Sequence, residues 1–338
     1  MSNQATKRSG KQTVFFTNPP TIVAQATVVG PMEGQGPLAS YYDLCTEDNY
    51  FGEKTWEKAE RKFLATALQM AVEKANLNPS DIHYLLAGDL LNQIISANFA
   101  ARGLQIPFFG LYGACSTIYE GLSLGAMLLD GGFADYVLAA TSSHYSTAER
   151  QFRFPTEQGV QRPLTSQRTV TGAAALVLAA TGNGPRITHV TTGKVVDLGI
   201  KDSNDMGSAM APAAVDTLVT HFQDTGRNPD YYDLIITGDL AAIGKELTII
   251  LAGKQGIDLT KNYTDCGVLV YDSSQDVHAG GSGCACSGVI TSGYLLKEMI
   301  KGRYRKILGV GTGALLSPIS TQQGESIPCI AHAIAMEY

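Results

Sequence analysis

No stretch of this sequence approaches the ~18–20 consecutive apolar residues that a membrane span needs. The longest apolar run, near 173–180, is far shorter, so any membrane association is expected to come through a partner. A basic stripe of the kind that marks nucleic-acid binders is also missing, and the net charge is −6. Residues 1–11 are polar and mildly basic with no apolar core behind them. They lack the pattern of a secretion signal and are expected to form a disordered tail over 1–12. Six cysteines spread over 338 residues do not form a disulfide framework. Cys284-Ala-Cys286, with Cys266 upstream, has no second Cys/His pair at finger spacing. It is therefore a weak metal signal, and reduced, mostly buried thiols are expected with no metal and no cofactor.

Apolar types, by contrast, reach 44% against 17% charged, which suits a large buried core. The 36 glycines sit among strongly apolar runs and point to tight turns and close backbone contacts. The length fits two domains, and the sequence repeats itself. Asn78-Pro79 through Gly88-Asp89-Leu90 recurs, at an offset of 150, as Asn228-Pro229 through Gly238-Asp239-Leu240. Each copy reads as a helix stop, a short buried strand and a Gly-Asp turn. Each follows an amphipathic stretch, Trp56 to Ala75 in one and Ala214 to Phe222 in the other.

A second pair repeats at an offset of 171: Ala114-Cys115-Ser116 with Ala285-Cys286-Ser287, each followed by a helix, a Gly turn and a buried strand. Those strands are Tyr136–Ala140 and Ile307–Gly311. Two matches in the same order favour duplication. The chain is read as an α/β protein with halves at 13–185 and 186–338, each a sheet covered by helices, packed as a pseudo-dimer.

Cys115 follows a strand-like run, Ile106 to Leu111, and opens a helical one, Ile118 to Leu129. A thiol at a helix N-terminus feels the positive end of the backbone dipole and is expected to become more acidic. Ser116 can satisfy first-turn N–H groups. That makes a seat for a nucleophile; the other reading is a small thiol packed where helix meets sheet. Both stay open on the motif alone.

The strand, the Ala-Cys-Ser opening a buried helix and the duplicated halves resemble the thiolase and ketoacyl synthase superfamily. So do the Gly-rich His278–Ser287 loop and the closing Gly309-Val-Gly-Thr-Gly313 turn. The resemblance extends from about Val14 to the C-terminus. It implies a thiolase-like, five-layered α-β-α-β-α arrangement and a homodimer joined through first-half sheets. It also implies a second-half His, or His–Asn pair, to polarise the thioester carbonyl. Here Gly238 and Asp239 occupy the turn where one such His is expected. The other position falls on Ser282 if aligned on Ser287, or on His278 if aligned on the imidazole. Loss of one oxyanion donor slows acyl transfer by ~10²–10³-fold, so a retained pocket with lost turnover is expected.

A narrower resemblance rests on Gly113–Gly121, His278–Ser287, Phe15-Phe16-Thr-Asn-Pro-Pro and Gln35-Gly-Pro-Leu. These are similar to a thiolase-like family of sporulation proteins. The resemblance implies binding of dipicolinic acid, or its calcium chelate, and work with integral membrane channel partners at the inner membrane of the developing spore. For such a flat dianion, the two helical starts at Cys115/Ser116 and Cys286/Ser287 offer converging N–H groups. His278 and Ser282 are added as candidate contacts. The polar segment 142–171 carries His144, Arg150, Arg153, Arg162 and Arg168; Arg150 and Arg162 are the first candidates for a carboxylate fork. Asp239 is a site candidate that would repel an anion unless its charge is matched. The alternative function is an active acyltransferase with Cys115 as nucleophile.

Overall fold

The computed structural model describes residues 7–152 and 162–338; Arg153 and the first six residues of the expected tail lie outside them. Each half builds the same five-stranded unit. In the first, Tyr84–Gly88 runs parallel to Phe108–Gly110 on one side and to Tyr136–Ser143 on the other. Gly172–Ala179 then lies antiparallel between Tyr136–Ser143 and Thr21–Val29. In the second, Leu234–Thr237 is parallel to Tyr263–Asp265 and Lys306–Ala314. Cys329–Glu337 lies antiparallel between Lys306–Ala314 and Arg186–Thr191. The two units meet where Thr21 pairs with Arg186, so the strand order of one reads as the reverse of the other.

The layers follow from where the apolar faces point. The helix Trp56–Lys74 starts at Thr55, whose hydroxyl accepts from the Lys58 N–H. It buries Phe63, Leu64 and Leu68 against Leu85, Leu138 and Val177 of the first sheet, with Ile95–Leu104 beside it. On the opposite outer face, Met206–Thr225 buries Met210 and Leu218 against Ile235 and Leu308 of the second sheet. Ala241–Lys254 packs alongside Met206–Thr225.

Between the sheets lie two central helices, Thr117–Asp130 and the continuous turn run Cys284–Ile300. They are apolar almost all round, as buried helices must be. Ile118, Tyr119, Leu122, Ile290 and Leu295 share one core with Leu176 and Ile334. The fold is thus five-layered, helix–sheet–helix–sheet–helix.

The Gly309-Val-Gly-Thr-Gly313 turn of the sequence is part of the strand Lys306–Ala314, and its glycines line up on one face of that strand. A Cβ at Gly309 would sit 2.5 Å from the Tyr119 hydroxyl, and one at Gly311 2.7 Å from that ring. The central helix therefore approaches the sheet at backbone distance there. The Tyr119 hydroxyl also lies 3.0 Å from that of Thr291, joining the two central helices at the pseudo-dyad.

Three local readings change. Arg8–Ser9, within the expected tail, forms a strand with Thr13–Val14; the Asp224 carboxylate fixes it by accepting the N–H groups of Lys11, Gln12 and Thr13. Thr13–Phe15 pairs with Arg186–Thr191 of the second half, so the chain's start crosses to the far sheet. The polar segment 142–171 contains a helix, Tyr145–Phe152, and a strand, Gln167–Thr169, that pairs in parallel with Gly280–Ser282.

Candidate functional site

Cys115 sits in a tight turn, Ala114–Ser116, at the mouth of the first central helix. Ala114 holds φ at +49°, a left-handed conformation that a non-glycine residue adopts at a cost and that recurs at functional turns. Its carbonyl accepts the Thr117 hydroxyl at 2.7 Å and the Cys284 thiol at 3.0 Å, so the start of the second helix braces the start of the first.

The repeated Gly-Asp turn delivers Asp239 to the same point. Its Oδ2 accepts from the Ser282 hydroxyl at 2.8 Å and the Gly283 N–H at 3.0 Å. Its Oδ1 accepts from the Thr312 hydroxyl at 2.7 Å, and the Cys115 thiol lies beside the same carboxylate. Gln167 donates to the Asp239 backbone carbonyl at 2.6 Å. Burial raises the carboxyl above its ordinary range while these neighbours pull it back. Beside that carboxylate, the buried Cys115 thiol is pushed well above the usual thiol range, first by burial and then by the charge of Asp239. Of the two readings that the motif leaves open, these surroundings favour the packed thiol, since burial and the neighbouring carboxylate both oppose its ionisation.

A cavity opens over Cys115, with about 480 Å³ of empty space, part of it open to solvent. Leu90, Phe152, Met206 and Leu316 give it apolar walls; Tyr112, Glu149, Thr169 and Ser282 supply the polar edges.

Of the residues singled out in the sequence, Cys115 and Ser282 face this cavity and Asp239 lies directly behind them. Of the two residues weighed for the second-half position, Ser282 lines the cavity. His278 stands outside the cavity lining, its Nδ1 2.8 Å from the Pro163 carbonyl and its Nε2 3.4 Å from Asp276. Ser116 is buried and donates to the Gly113 carbonyl at 2.7 Å instead of capping N–H groups. Cys286 points into the core between the sheets; the second helix begins two residues earlier, at Cys284, after Gly283.

The arginines are engaged elsewhere. Arg150 pairs with Glu57 at 2.8 Å and lies over the Trp56 ring. Arg162 reaches the carbonyl and carboxylate of Asp276, and Arg168 covers the Tyr145 ring at 3.7 Å. None of the three lines the cavity. The helix Tyr145–Phe152 lines it instead, through Ala148, Glu149 and Phe152. Tyr145, Ala148 and Phe152 stand at spacings of three and four, a helical signal inside a stretch that otherwise reads as polar loop. Among the described residues, no group of three or more His, Cys, Asp or Glu side chains could hold a metal. No described helix is long and apolar enough to cross a membrane.

This duplicated architecture is that of the thiolase-like enzymes. The 3-oxoacyl-[acyl-carrier-protein] synthase III of Aquifex aeolicus superposes with a TM-score of 0.59 over 94% of this chain and 100% of its own, at 14% identity. OleA of Xanthomonas campestris gives a TM-score of 0.62 over 96% of this chain and 100% of its own, at 16% identity. Such identities establish the fold and nothing finer. The profile of the stage V sporulation protein AD (SpoVAD) family matches residues 10–337. The stage V sporulation protein AD of Bacillus subtilis is 49% identical over 331 residues, 98% of each chain. The chain belongs to the stage V sporulation protein AD family: it is a sporulation protein with a thiolase-like fold.

Proposed function

We propose that this chain is a non-catalytic binding protein that holds dipicolinic acid, or its calcium chelate, in the cavity over Cys115. It would serve uptake into the developing spore alongside integral membrane partners, as a homodimer docked peripherally at the inner spore membrane. The observation that carries the reading is the carboxylate of Asp239 where a condensing enzyme needs an imidazole. Acyl transfer requires a thiolate and donors for the developing oxyanion. Here an anion opposes thiolate formation, and the Ser282 hydroxyl and Gly283 N–H are engaged by that same anion.

The cavity's character favours the chelate over the free dianion. Asp239 lies directly behind it, with no described arginine among the lining residues. A one-to-one calcium chelate carries no net charge, and its flat ring suits walls of Leu90, Tyr112 and Phe152. The edge strand Phe108–Gly110 has a sheet partner on one side only, and Phe109 on it is exposed. That edge supports pairing with a second copy.

Calorimetry with dipicolinate, with and without calcium, is expected to show saturable binding that Cys115→Trp abolishes by filling the cavity. Absence of heat up to millimolar ligand in both conditions refutes the ligand. Incubation with an acyl-CoA series followed by mass spectrometry addresses catalysis: a Cys115 adduct that forms and turns over refutes the non-catalytic reading. Light scattering is expected to give the mass of a dimer.

A further inference from the structure

Glu60 has no part in the site just described, yet it is fully buried. It lies on the outer helix Trp56–Lys74 and faces the helix Tyr145–Phe152, which forms one wall of the cavity. The Thr147 hydroxyl of that wall helix donates to Glu60 Oε2 at 2.7 Å, and the Ser142 hydroxyl lies 3.4 Å from Oε1. Asp89, also fully buried, sits close by, on the turn just before the cavity residue Leu90. Its two oxygens accept the N–H groups of Leu91 and Ala97 at 2.8 and 2.7 Å. Gln151, from the last turn of the wall helix, donates to the Leu90 carbonyl at 3.0 Å. The wall helix is thus tied to buried Glu60 at one end and, at the other, to the turn that buried Asp89 closes.

On the helix of Glu60 the charge that adds to its shift is Glu57, which Arg150 already holds. The wall helix contributes Glu149, and His144 precedes it, kept neutral by burial with its Nε2 2.8 Å from the Asn49 carbonyl. The second central helix brings the Cys284 thiol. Among the described residues no Lys or Arg forms an ion pair with Glu60 or Asp89. Two carboxyls sharing such surroundings cannot both ionise cheaply. Asp89, with its backbone donors, is the better seat for the charge. Glu60, offered only hydroxyls, is the better seat for the proton, and burial and the charge of Asp89 both raise its proton affinity well above the ordinary range.

We propose that a proton held on Glu60 pins the helix Tyr145–Phe152 against the body of the protein, making the cavity wall firm at mildly acidic pH and loose at alkaline pH. Closing the wall takes up the proton, so raising the pH shifts the balance toward the loosened wall, and a ligand in the cavity is held less tightly. The second part rests on the proposed reading of the cavity as a ligand site; the first does not.

Hydrogen exchange read by mass spectrometry over residues 142–152, corrected for the intrinsic pH dependence of exchange, tests the latch without ligand. Between about pH 6 and about pH 8.5 the wild-type segment is expected to lose about tenfold or more in protection, the equivalent of at least one unit of differential proton affinity. Glu60→Gln, which keeps an acceptor for Thr147 but cannot ionise, is expected to stay protected at both. Thr147→Val, which removes the hydroxyl tie, is expected to be less protected at both. Calorimetric dipicolinate affinity should follow the same pattern.

Equal pH dependence in wild type and Glu60→Gln overturns the proposal, as does wild-type protection that does not change with pH, even if the glutamine variant fails to fold. The predicted exchange pattern without dipicolinate binding at any pH leaves the latch standing and refutes the ligand.

Discussion

Asp239→Asn isolates the contact on which the functional reading turns. In the native protein one carboxylate takes three donors, the Ser282 hydroxyl, the Gly283 N–H and the Thr312 hydroxyl, with the Cys115 thiol beside it. Asparagine keeps one acceptor oxygen, but its NH₂ must face either the Thr312 hydroxyl or the group formed by Ser282, Gly283 and Cys115. Hydroxyls and the thiol can rotate to accept; the Gly283 N–H cannot. Leaving buried donors without acceptors costs about 1–3 kcal/mol, and the lost bonds were charge-assisted. A destabilisation of about 2–4 kcal/mol in urea unfolding is therefore expected.

The same change removes the anion beside the thiol. Two unit charges about 4 Å apart at an effective dielectric of about 20 repel by about 4 kcal/mol, roughly three pKa units at most. Burial, the larger cause of the raised Cys115 pKa, remains. Alkylation of Cys115 at pH 8 should then rise at least tenfold in Asp239→Asn. Iodoacetamide labelling followed by peptide mass spectrometry measures it, with exposed Cys45 in the same digest as internal reference. A wild-type Cys115 that alkylates as fast as Cys45, or a variant no faster than wild type, would refute the reasoning.

Glu149→Gln should tighten binding of calcium-free dipicolinate and narrow the calcium dependence seen by calorimetry, since it removes a carboxylate from the cavity wall; unchanged affinities exclude charge exclusion by this residue. Gly309→Ala places a Cβ 2.5 Å from the buried Tyr119 hydroxyl and should cost about 1–3 kcal/mol in unfolding experiments; an unaltered midpoint means the central helix has room to move. His221, between the Thr191 and Tyr232 hydroxyls, is held down to about 3, mainly by burial. Below its ordinary value near 6.5 the unfolded chain binds a proton that the folded chain refuses, so stability falls as pH drops. The stability gap between wild type and His221→Asn should narrow by about 2 kcal/mol from pH 7 to pH 5; parallel pH profiles would show that the imidazole does not titrate as the burial implies.

The two sequence repeats carried most of the architecture. Asn-Pro, a short strand and Gly-Asp recur in both halves as a turn leading into Tyr84–Gly88 and Leu234–Thr237. The second repeat lands on the two central helices and the strands after them. Period and spacing survive in sequence because they are local, and they predict elements well. The site was legible only in part, because it depends on where side chains turn. Cys286 matches Cys115 in the alignment of the halves, but the second helix starts at Cys284, and the matched residue rotates into the core. The described arginines of the polar segment, Arg150, Arg168 and Arg162, find partners outside the cavity: Trp56 and Glu57, Tyr145, and Asp276. What the cavity takes from that segment is the apolar spacing of Ala148 and Phe152, a signal diluted by the polar residues around it.

The duplicated acids show how two identical turns came to different work. In the first half Asp89 closes its own turn, accepting the N–H groups of Leu91 and Ala97 at the start of the next helix. In the second half that duty falls to Asp265, which accepts from Leu240, Ala241 and Gly267 N–H groups and from the Thr237 hydroxyl. Asp239 is thereby free of its turn and can swing across to Thr312, Ser282 and Cys115. Were Asp239 needed to cap its own helix, it could not face the thiol, and Ser282 and Gly283 would be left as donors for an incoming oxyanion. That substituted cap leaves Asp239 to set the electrostatics beside Cys115. It turns the second helix start from an anion acceptor into the seat of an internal anion.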